Sequence, residues 1–118
     1  MKNIEKLDYI MSHWSEFPDL KINSTFLMAY RDSIRSGCEM LNFQECIWDY
    51  DIDPIIALCK EYGITEFAIS SNFSGVLETI WKFTERGCRM DGMIEVTSKF
   101  KDIFTDEYGK VAAALIRI

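Results

Sequence analysis

The stretch between Asp51 and Val96 constrains the fold of this chain most, because helix caps and short apolar runs alternate within it. Asp53-Pro54 predicts a helix start, since Asp caps N-termini and the fixed Pro torsion suits a first turn. We expect this helix to span residues 54–62. Gly63 follows at the position where a left-handed residue commonly ends a helix.

A strand and a second helix are predicted next. Residues 65–70 have a continuous apolar centre, which is typical of a strand covered on both faces. A helix is expected at 75–86, before Gly87, and its wide apolar face, including Leu77, Trp81 and Phe83, predicts burial against a sheet. Its candidate N-caps are Ser71, Asn72 and Ser74.

The N-terminal part predicts two amphipathic helices. Apolar residues recur at three-to-four spacing over 4–14, and the segment Phe17-Pro18-Asp19 breaks this first helix. A second helix is expected to begin at Asn23 or Ser24 and to end near Asn42. Residues 43–49 are either a link that anchors Trp48 in the core or a short strand at 46–48, and we favour the link.

The C-terminal part predicts two strands. Residues 93–100 alternate between apolar and polar side chains, as a half-exposed strand does, and 105–109 resembles a turn. Residues 111–118 are almost uninterruptedly apolar, which predicts an interior strand. We expect these two strands to form an antiparallel hairpin, and the 65–70 and 93–100 strands to be joined by a parallel crossover.

We therefore expect one domain over residues 1–118 of the α/β class, with α+β as the alternative. A small mixed sheet of three to four strands would pack with about four helices. Two amphipathic helices would occupy residues 1–42. An α-β-α-β-β portion would occupy residues 43–118, with a β-α-β-β order in the C-terminal half.

Composition and charge limit the partners that this chain is expected to have. The net charge is −6, and residues 1–66 hold 6 basic and 12 acidic side chains. This balance argues against nucleic-acid binding, which depends on clustered Lys and Arg, and favours a basic protein partner. No stretch approaches the ~20 apolar residues of a membrane-spanning helix, so we expect a cytoplasmic protein without a membrane partner.

The run from Asp51 to Val96 also carries a resemblance to a known family. The segments Asp51-Ile52-Asp53-Pro54-Ile55-Ile56, Ile69-Ser70-Ser71 to Glu78, and Gly87-Cys88 resemble those of small bacterial proteins found in Gram-positive genomes and their mobile elements. The resemblance implies a fold and a bacterial cytoplasmic setting. It supplies no activity, cofactor or catalytic residue.

The acidic run Asp49 to Asp53 is the sharpest candidate site, because carboxylates spaced by two can hold Mg²⁺. With a strand ending at Trp48, Asp49 and Asp51 would resemble the D-x-D pair of haloacid-dehalogenase-like phosphatases. Asp49 would then be the nucleophile and Asp51 the general acid/base, with Ser70 orienting phosphate. Asp51 and Asp53 are more simply explained as anions at a helix N-terminus, where the dipole favours them.

The link at 70–75 is the second candidate, because backbone N–H groups between a strand and a helix can bind an anion. Ser70 and Ser71 would line it, although no Gly-rich spacing or Lys accompanies them. We expect no metal or cofactor. The expected function is that of a non-enzymatic protein-binding or regulatory domain, with a homodimer as one form of partner. A small Mg²⁺-dependent phosphoryl hydrolase is the alternative.

Overall fold

The computed structural model describes residues 5, 8, 9, 12, 13, 16 and 23–118, and there three helices pack with a four-stranded mixed sheet. This is an α+β arrangement, the alternative given beside the α/β class, and the predicted mixed sheet of three to four strands is confirmed. Three helices are found where about four were expected, and the predicted helix at 4–14 and the break at 17–19 lie mostly outside the described residues. The elements in chain order are α1 (Ser24–Ser36), β1 (Asn42–Phe43), α2 (Asp49–Glu61), β2 (Glu66–Ile69), α3 (Val76–Glu85), β3 (Arg89–Lys101) and β4 (Tyr108–Arg117).

Helix α1 begins where the sequence predicts but ends about one and a half turns earlier. The Asn23 side chain accepts a hydrogen bond from Phe26 N at 3.1 Å, which caps the N-terminus. Gly37, with φ of 71°, ends the helix in the left-handed conformation. The predicted end near Asn42 was wrong, because Asn42 is already in strand β1.

Helix α2 begins at Asp49 and not at Pro54, so the predicted cap at Asp53 was wrong. Trp48 is the N-cap, and the Asp51 carboxylate accepts its backbone N–H at 2.9 Å. Pro54 therefore lies in the second turn. The N–H that it lacks would have paired with the Tyr50 carbonyl, which lies in the exposed first turn where water can reach it.

The sheet order is β1-β2-β4-β3. Strands β1 and β2 are parallel, whereas β4 runs antiparallel to both β2 and β3. The predicted C-terminal hairpin and the interior position of its last strand are thus confirmed. The predicted parallel crossover is confirmed as well, because β2 and β3 are joined through α3 and both run antiparallel to β4, which lies between them.

The main core lies between the helices and one face of the sheet. Four buried rings, of Phe26, Phe43, Phe67 and Phe83, follow one another at centroid separations of 6.3, 5.2 and 5.3 Å. A smaller cluster on the other face contains Cys38, Ala68, Val96 and Ala113.

Three apolar residues do not pack as their patterns predict. In α3 only Phe83 is fully buried, while Leu77 and Trp81 are 78% and 58% exposed, because only one side of this helix contacts the sheet. The segment after β1 is a link without strand pairing at 46–48, as favoured. It anchors Ile47 in the core, and Trp48 is exposed.

The C-terminal end of β3 packs against the segments that precede and follow β1. The backbone N–H groups of Thr97 and Lys99 donate to the Glu39 carboxylate at 3.3 Å and the Gln44 amide oxygen at 3.0 Å. The Lys99 ammonium pairs with Asp32 in α1 at 3.3 Å and contacts Glu45. These contacts join the hairpin to the rest of the fold. In the described part of the chain, no helix has the length and apolarity needed to cross a bilayer.

Candidate functional site

A cleft of about 500 Å³ opens where the chain passes from β2 into α3, beside the N-terminus of α2. It lies beyond the carboxyl ends of the parallel strands β1 and β2, which is where open α/β sheets commonly bind ligands. Its volume is within the range of small-ligand and side-chain pockets. Parts of both segments that the sequence indicated as candidates, residues 49–53 and 70–75, line this cleft.

The walls of the cleft are mainly apolar and aromatic. Ile47, Ile69 and Val76 line its inner part. Trp48, Tyr50 and Phe73 also line it, and these residues are 56%, 73% and 51% exposed. Large aromatic side chains exposed to this extent around one concave surface are unusual in a globular domain unless the surface binds something.

The charge in the cleft comes from Asp49 and Glu78. Both carboxylates face Lys82 of α3, whose ammonium lies 2.5 Å from Asp49 Oδ1 and 3.6 Å from Glu78 Oε1. The hydrogen bond to Asp49 raises the pKa of Lys82 above its usual value, so this lysine is charged at neutral pH. Two carboxylates against one ammonium leave a net negative charge.

The other two aspartates of the acidic run do not face the cleft. Asp51 is completely buried and accepts hydrogen bonds from Asn23 Nδ2, Thr25 Oγ1 and Trp48 N, each at 2.9 Å. Asp53 is exposed and accepts from Arg86 Nε at 2.7 Å. Asp51 therefore ties α1 to the start of α2, and Asp53 ties α2 to α3.

The hydroxyls of the 70–75 link have structural partners. Ser70 donates to Asn42 Oδ1 at 2.9 Å, and Ser71 accepts from Phe73 N at 3.4 Å. The N-cap of α3 is Gly75, and no side chain bonds to the helix terminus. The prediction that Ser71, Asn72 or Ser74 caps this helix was wrong, since the helix begins one residue later than expected.

The arrangement required for a phosphoryl hydrolase is not present in these residues. Residues 46–48 are not a strand, Asp49 pairs with Lys82, and the buried carboxylate of Asp51 is fully engaged by donors. Ser70 is turned toward Asn42. Within the ranges that the structure describes, no three His, Cys, Asp or Glu side chains are grouped so that they could hold a metal ion.

Three of the four cysteines are buried, and Cys46 is half-buried and lines the cleft. Cys59 is buried, and burial raises the pKa of its thiol to about 12. Burial likewise raises the pKa values of Cys38 and Cys88. His13 lies far along the chain from the cleft, and its Nδ1 is 2.8 Å from the Tyr9 carbonyl. Thiols with raised pKa values are poor nucleophiles at neutral pH.

Sequence reasoning missed the aromatic rim of the cleft. Trp48 was expected in the core, and neither Tyr50 nor Phe73 stood out in a chain with 8 Phe and 5 Tyr. The exposure of Trp48 and Tyr50 could have been predicted, because both flank Asp49 in a charged segment where no apolar period predicts burial.

Comparison with curated proteins gives no match, and comparison with solved structures gives none either. A scan against protein families matches residues 25–118 to the family described as "Domain of unknown function (DUF7698)". The match includes every helix and strand from α1 to β4 apart from the first residue of α1. The chain therefore belongs to the DUF7698 family.

Proposed function

We propose that this protein is a non-enzymatic binding domain that recognises a basic protein partner through the cleft and its aromatic rim. The observation that carries the proposal is the exposure of Trp48, Tyr50 and Phe73 around one concave surface. Trp and Tyr dominate the binding energy of protein interfaces, where they fill well-packed central pockets.

Charge supports a basic partner. The chain has a net charge of −6, and its acidic excess lies in residues 1–66, which include Asp49 at the cleft. Glu78 adds a second carboxylate to the cleft, and Lys82 balances only one of the two. Complementary charge speeds association and disfavours wrong partners, so basic segments would be selected over acidic ones.

A random twelve-residue peptide library displayed on phage tests this function while the partner is still unidentified. The library is selected on wild-type protein and on the double variant Trp48→Ser/Tyr50→Ser. Ser is a favoured N-cap, so Trp48→Ser is expected to preserve the start of α2. The matched control is Trp81→Ser, which removes an exposed ring that does not line the cleft.

Wild-type protein and Trp81→Ser are expected to enrich peptides rich in Lys and Arg, and added salt is expected to weaken their binding. The double variant is expected to enrich none. Enrichment of acidic or uncharged peptides, binding that is insensitive to salt, or equal enrichment by the double variant would contradict the proposal.

A second copy of the chain is the alternative partner, through the N-terminal helices or a sheet edge. Strand β3 is an edge strand, but Glu39 and Gln44 occupy the outward N–H groups of Thr97 and Lys99. Such blocking disfavours pairing of edges between copies. Light scattering during size-exclusion chromatography is expected to give the monomer mass, and a dimer lost in Trp48→Ser/Tyr50→Ser would make the second copy the partner.

We further propose a bacterial cytoplasmic setting, in which the domain is an accessory protein of a mobile genetic element. The resemblance of residues 51–96 to such proteins supports the setting. The four cysteines are all free thiols, which a reducing compartment would maintain. Fractionation of expressing bacteria tests the location, and recovery in the envelope fraction would contradict it.

A further inference from the structure

We propose that the cleft binds the guanidinium group of an arginine side chain presented by an exposed segment of the partner protein. This proposal rests on the proposed function and adds to it the chemical group that is recognised. It is carried by the combination of three exposed aromatic rings and two carboxylates in one cleft.

The aromatic rings favour a cation. Trp48 is the N-cap of α2 and Tyr50 lies in its first turn, while Phe73 lies in the link before α3. The three aromatic residues at the cleft therefore come from two separate segments. A ring presents a negative face, and a cation over that face within about 6 Å of the centroid is attracted. Guanidinium is planar and less strongly hydrated than ammonium, so it stacks on rings better than lysine does.

The carboxylates supply the second half of the recognition. Asp49 contacts Lys82 through Oδ1 and Glu78 contacts it through Oε1. Among the described residues, neither carboxylate has a hydrogen-bond or ion-pair partner other than Lys82, and both side chains are more than two-thirds exposed. Guanidinium carries five N–H donors in a fixed fork and can meet carboxylate oxygens while it lies on a ring.

An anion is the competing ligand, because the N-termini of α2 and α3 both lie at the cleft. Each terminus is equivalent to roughly half a positive charge. The first turns already contain Asp49, Asp51 and Glu78, however, and Lys82 is the one basic side chain in contact with them among the described residues. About one negative charge remains when the three carboxylates, Lys82 and the two helix termini are summed. Asp51 is counted because it lies in the first turn of α2 and offsets that terminus, although its buried carboxylate does not face the cleft. The cleft is therefore better suited to a cation.

Nuclear magnetic resonance titration of the full chain with N-acetyl-arginine methylamide tests the proposal. The neutral counterpart, N-acetyl-citrulline methylamide, has nearly the same shape and no charge. We expect saturable shifts of the Trp48 indole N–H and of the Ile47 and Val76 methyl groups with the arginine probe. Binding of the citrulline probe is expected to be at least about ten-fold weaker, because its neutral urea group lacks the cation–π attraction and the charge-assisted hydrogen bonds.

Three variants assign the effect to the cleft. Tyr50→Leu is expected to weaken binding of the arginine probe about two- to five-fold, and Tyr50→Phe, which keeps a ring, is expected to restore it. Asp49→Asn is expected to weaken binding by a similar factor and to reduce its dependence on salt. Trp81→Leu, a matched loss of an exposed ring outside the cleft, is expected to bind as the wild type does.

Several outcomes would overturn the proposal. These are equal binding of the citrulline probe, equal or tighter binding of N-acetyl-lysine methylamide, the same shifts with sodium phosphate, or no shifts at all. Because the titration uses no peptide, a negative result beside a successful peptide selection rejects the arginine site alone. If the arginine probe binds but no peptide is enriched, the cleft binds a guanidinium group that does not belong to a protein segment. That result would reject the proposed function.

Discussion

Asp51 is the residue in the acidic run on which the fold depends most. Its buried carboxylate accepts from Asn23, Thr25 and the Trp48 N–H. We expect Asp51→Asn to lower the free energy of unfolding by about 2–4 kcal/mol, since an amide group places donor hydrogens against donors. Urea denaturation measures the loss. A loss below about 0.5 kcal/mol would contradict a structural role.

The control is Asp53→Asn, two residues along the same helix. Asp53 is exposed and pairs only with Arg86 among the described residues, so its substitution is expected to cost no more than about 0.5 kcal/mol. The two aspartates are equivalent in the sequence pattern, where both were explained as anions at a helix start. The difference between them is set by burial, which depends on contacts with Asn23 and Thr25, more than 25 residues away.

Glu39 makes the stability of the fold change with pH in the acid range. The hydrogen bond from Lys110 lowers the pKa of the Glu39 carboxyl from 4.5 to about 2. Because the folded pKa is below the unfolded one, the stabilisation is fully present above pH 4.5 and is lost as the pH falls toward 2. Glu39 is half exposed, so the effect is expected to be at most about 1 kcal/mol.

Thermal unfolding between pH 5 and pH 2 measures this contribution. Glu39→Gln is expected to be less stable than the wild type at pH 5, and the difference is expected to shrink as the pH falls toward 2. Lys110→Met removes the main cause of the lowered pKa and is expected to give the same convergence. A difference that stays constant with pH would reject this account.

At the scale of elements, α3 shows where an apolar pattern misleads. Phe83 is fully buried and contacts Phe67 in the core, whereas Trp81 is 58% exposed. We expect Phe83→Ala to cost about 3–5 kcal/mol and Trp81→Ala less than about 1 kcal/mol in urea denaturation. Similar costs for both would mean that the whole apolar face of α3 is buried.

The element predictions succeeded where the signal is local. Gly63 and Gly87 have φ values of 70° and 92°, and each follows the helix that its position was predicted to end. Strand β2 differs from its predicted span by one residue at each end. The start of α2 was missed because its cap is the Asp51 side chain acting on Trp48, and Trp is not a residue that usually marks an N-cap.

At the scale of the whole molecule, sheet order and the cleft depend on contacts between distant segments. The insertion of β4 between β2 and β3 pairs Phe67 with Ile116, and no local period encodes that choice. The two-residue strand β1 is too short for any periodic signal. The two halves of the cleft, 46–50 and 69–79, overlap the candidate segments 49–53 and 70–75, but only the fold shows that their aromatic residues line one cleft.

Lys99 links three parts of the fold through one ammonium. It lies in β3, pairs with Asp32 of α1 at 3.3 Å, and contacts Glu45 in the link after β1. Its side chain is only 9% exposed. Removal of this charge would leave two partly buried carboxylates close together, with only the exposed guanidinium of Arg35 still paired to Asp32 at 2.8 Å. Such a loss is more costly than loss of a surface pair.

We therefore expect Lys99→Met to lower the free energy of unfolding by about 2–3 kcal/mol. We also expect it to release the C-terminal end of β3 from α1 and from the link after β1. Hydrogen exchange of the Thr97 amide, which donates to Glu39, is expected to accelerate more than exchange in β2, because the hairpin end is released while the rest of the sheet stays paired. Lys101→Met is the control, since Lys101 is half exposed and 3.8 Å from Asp106. If Thr97 and β2 accelerate equally, the hairpin and the sheet open as one unit and Lys99 does not fasten the hairpin separately.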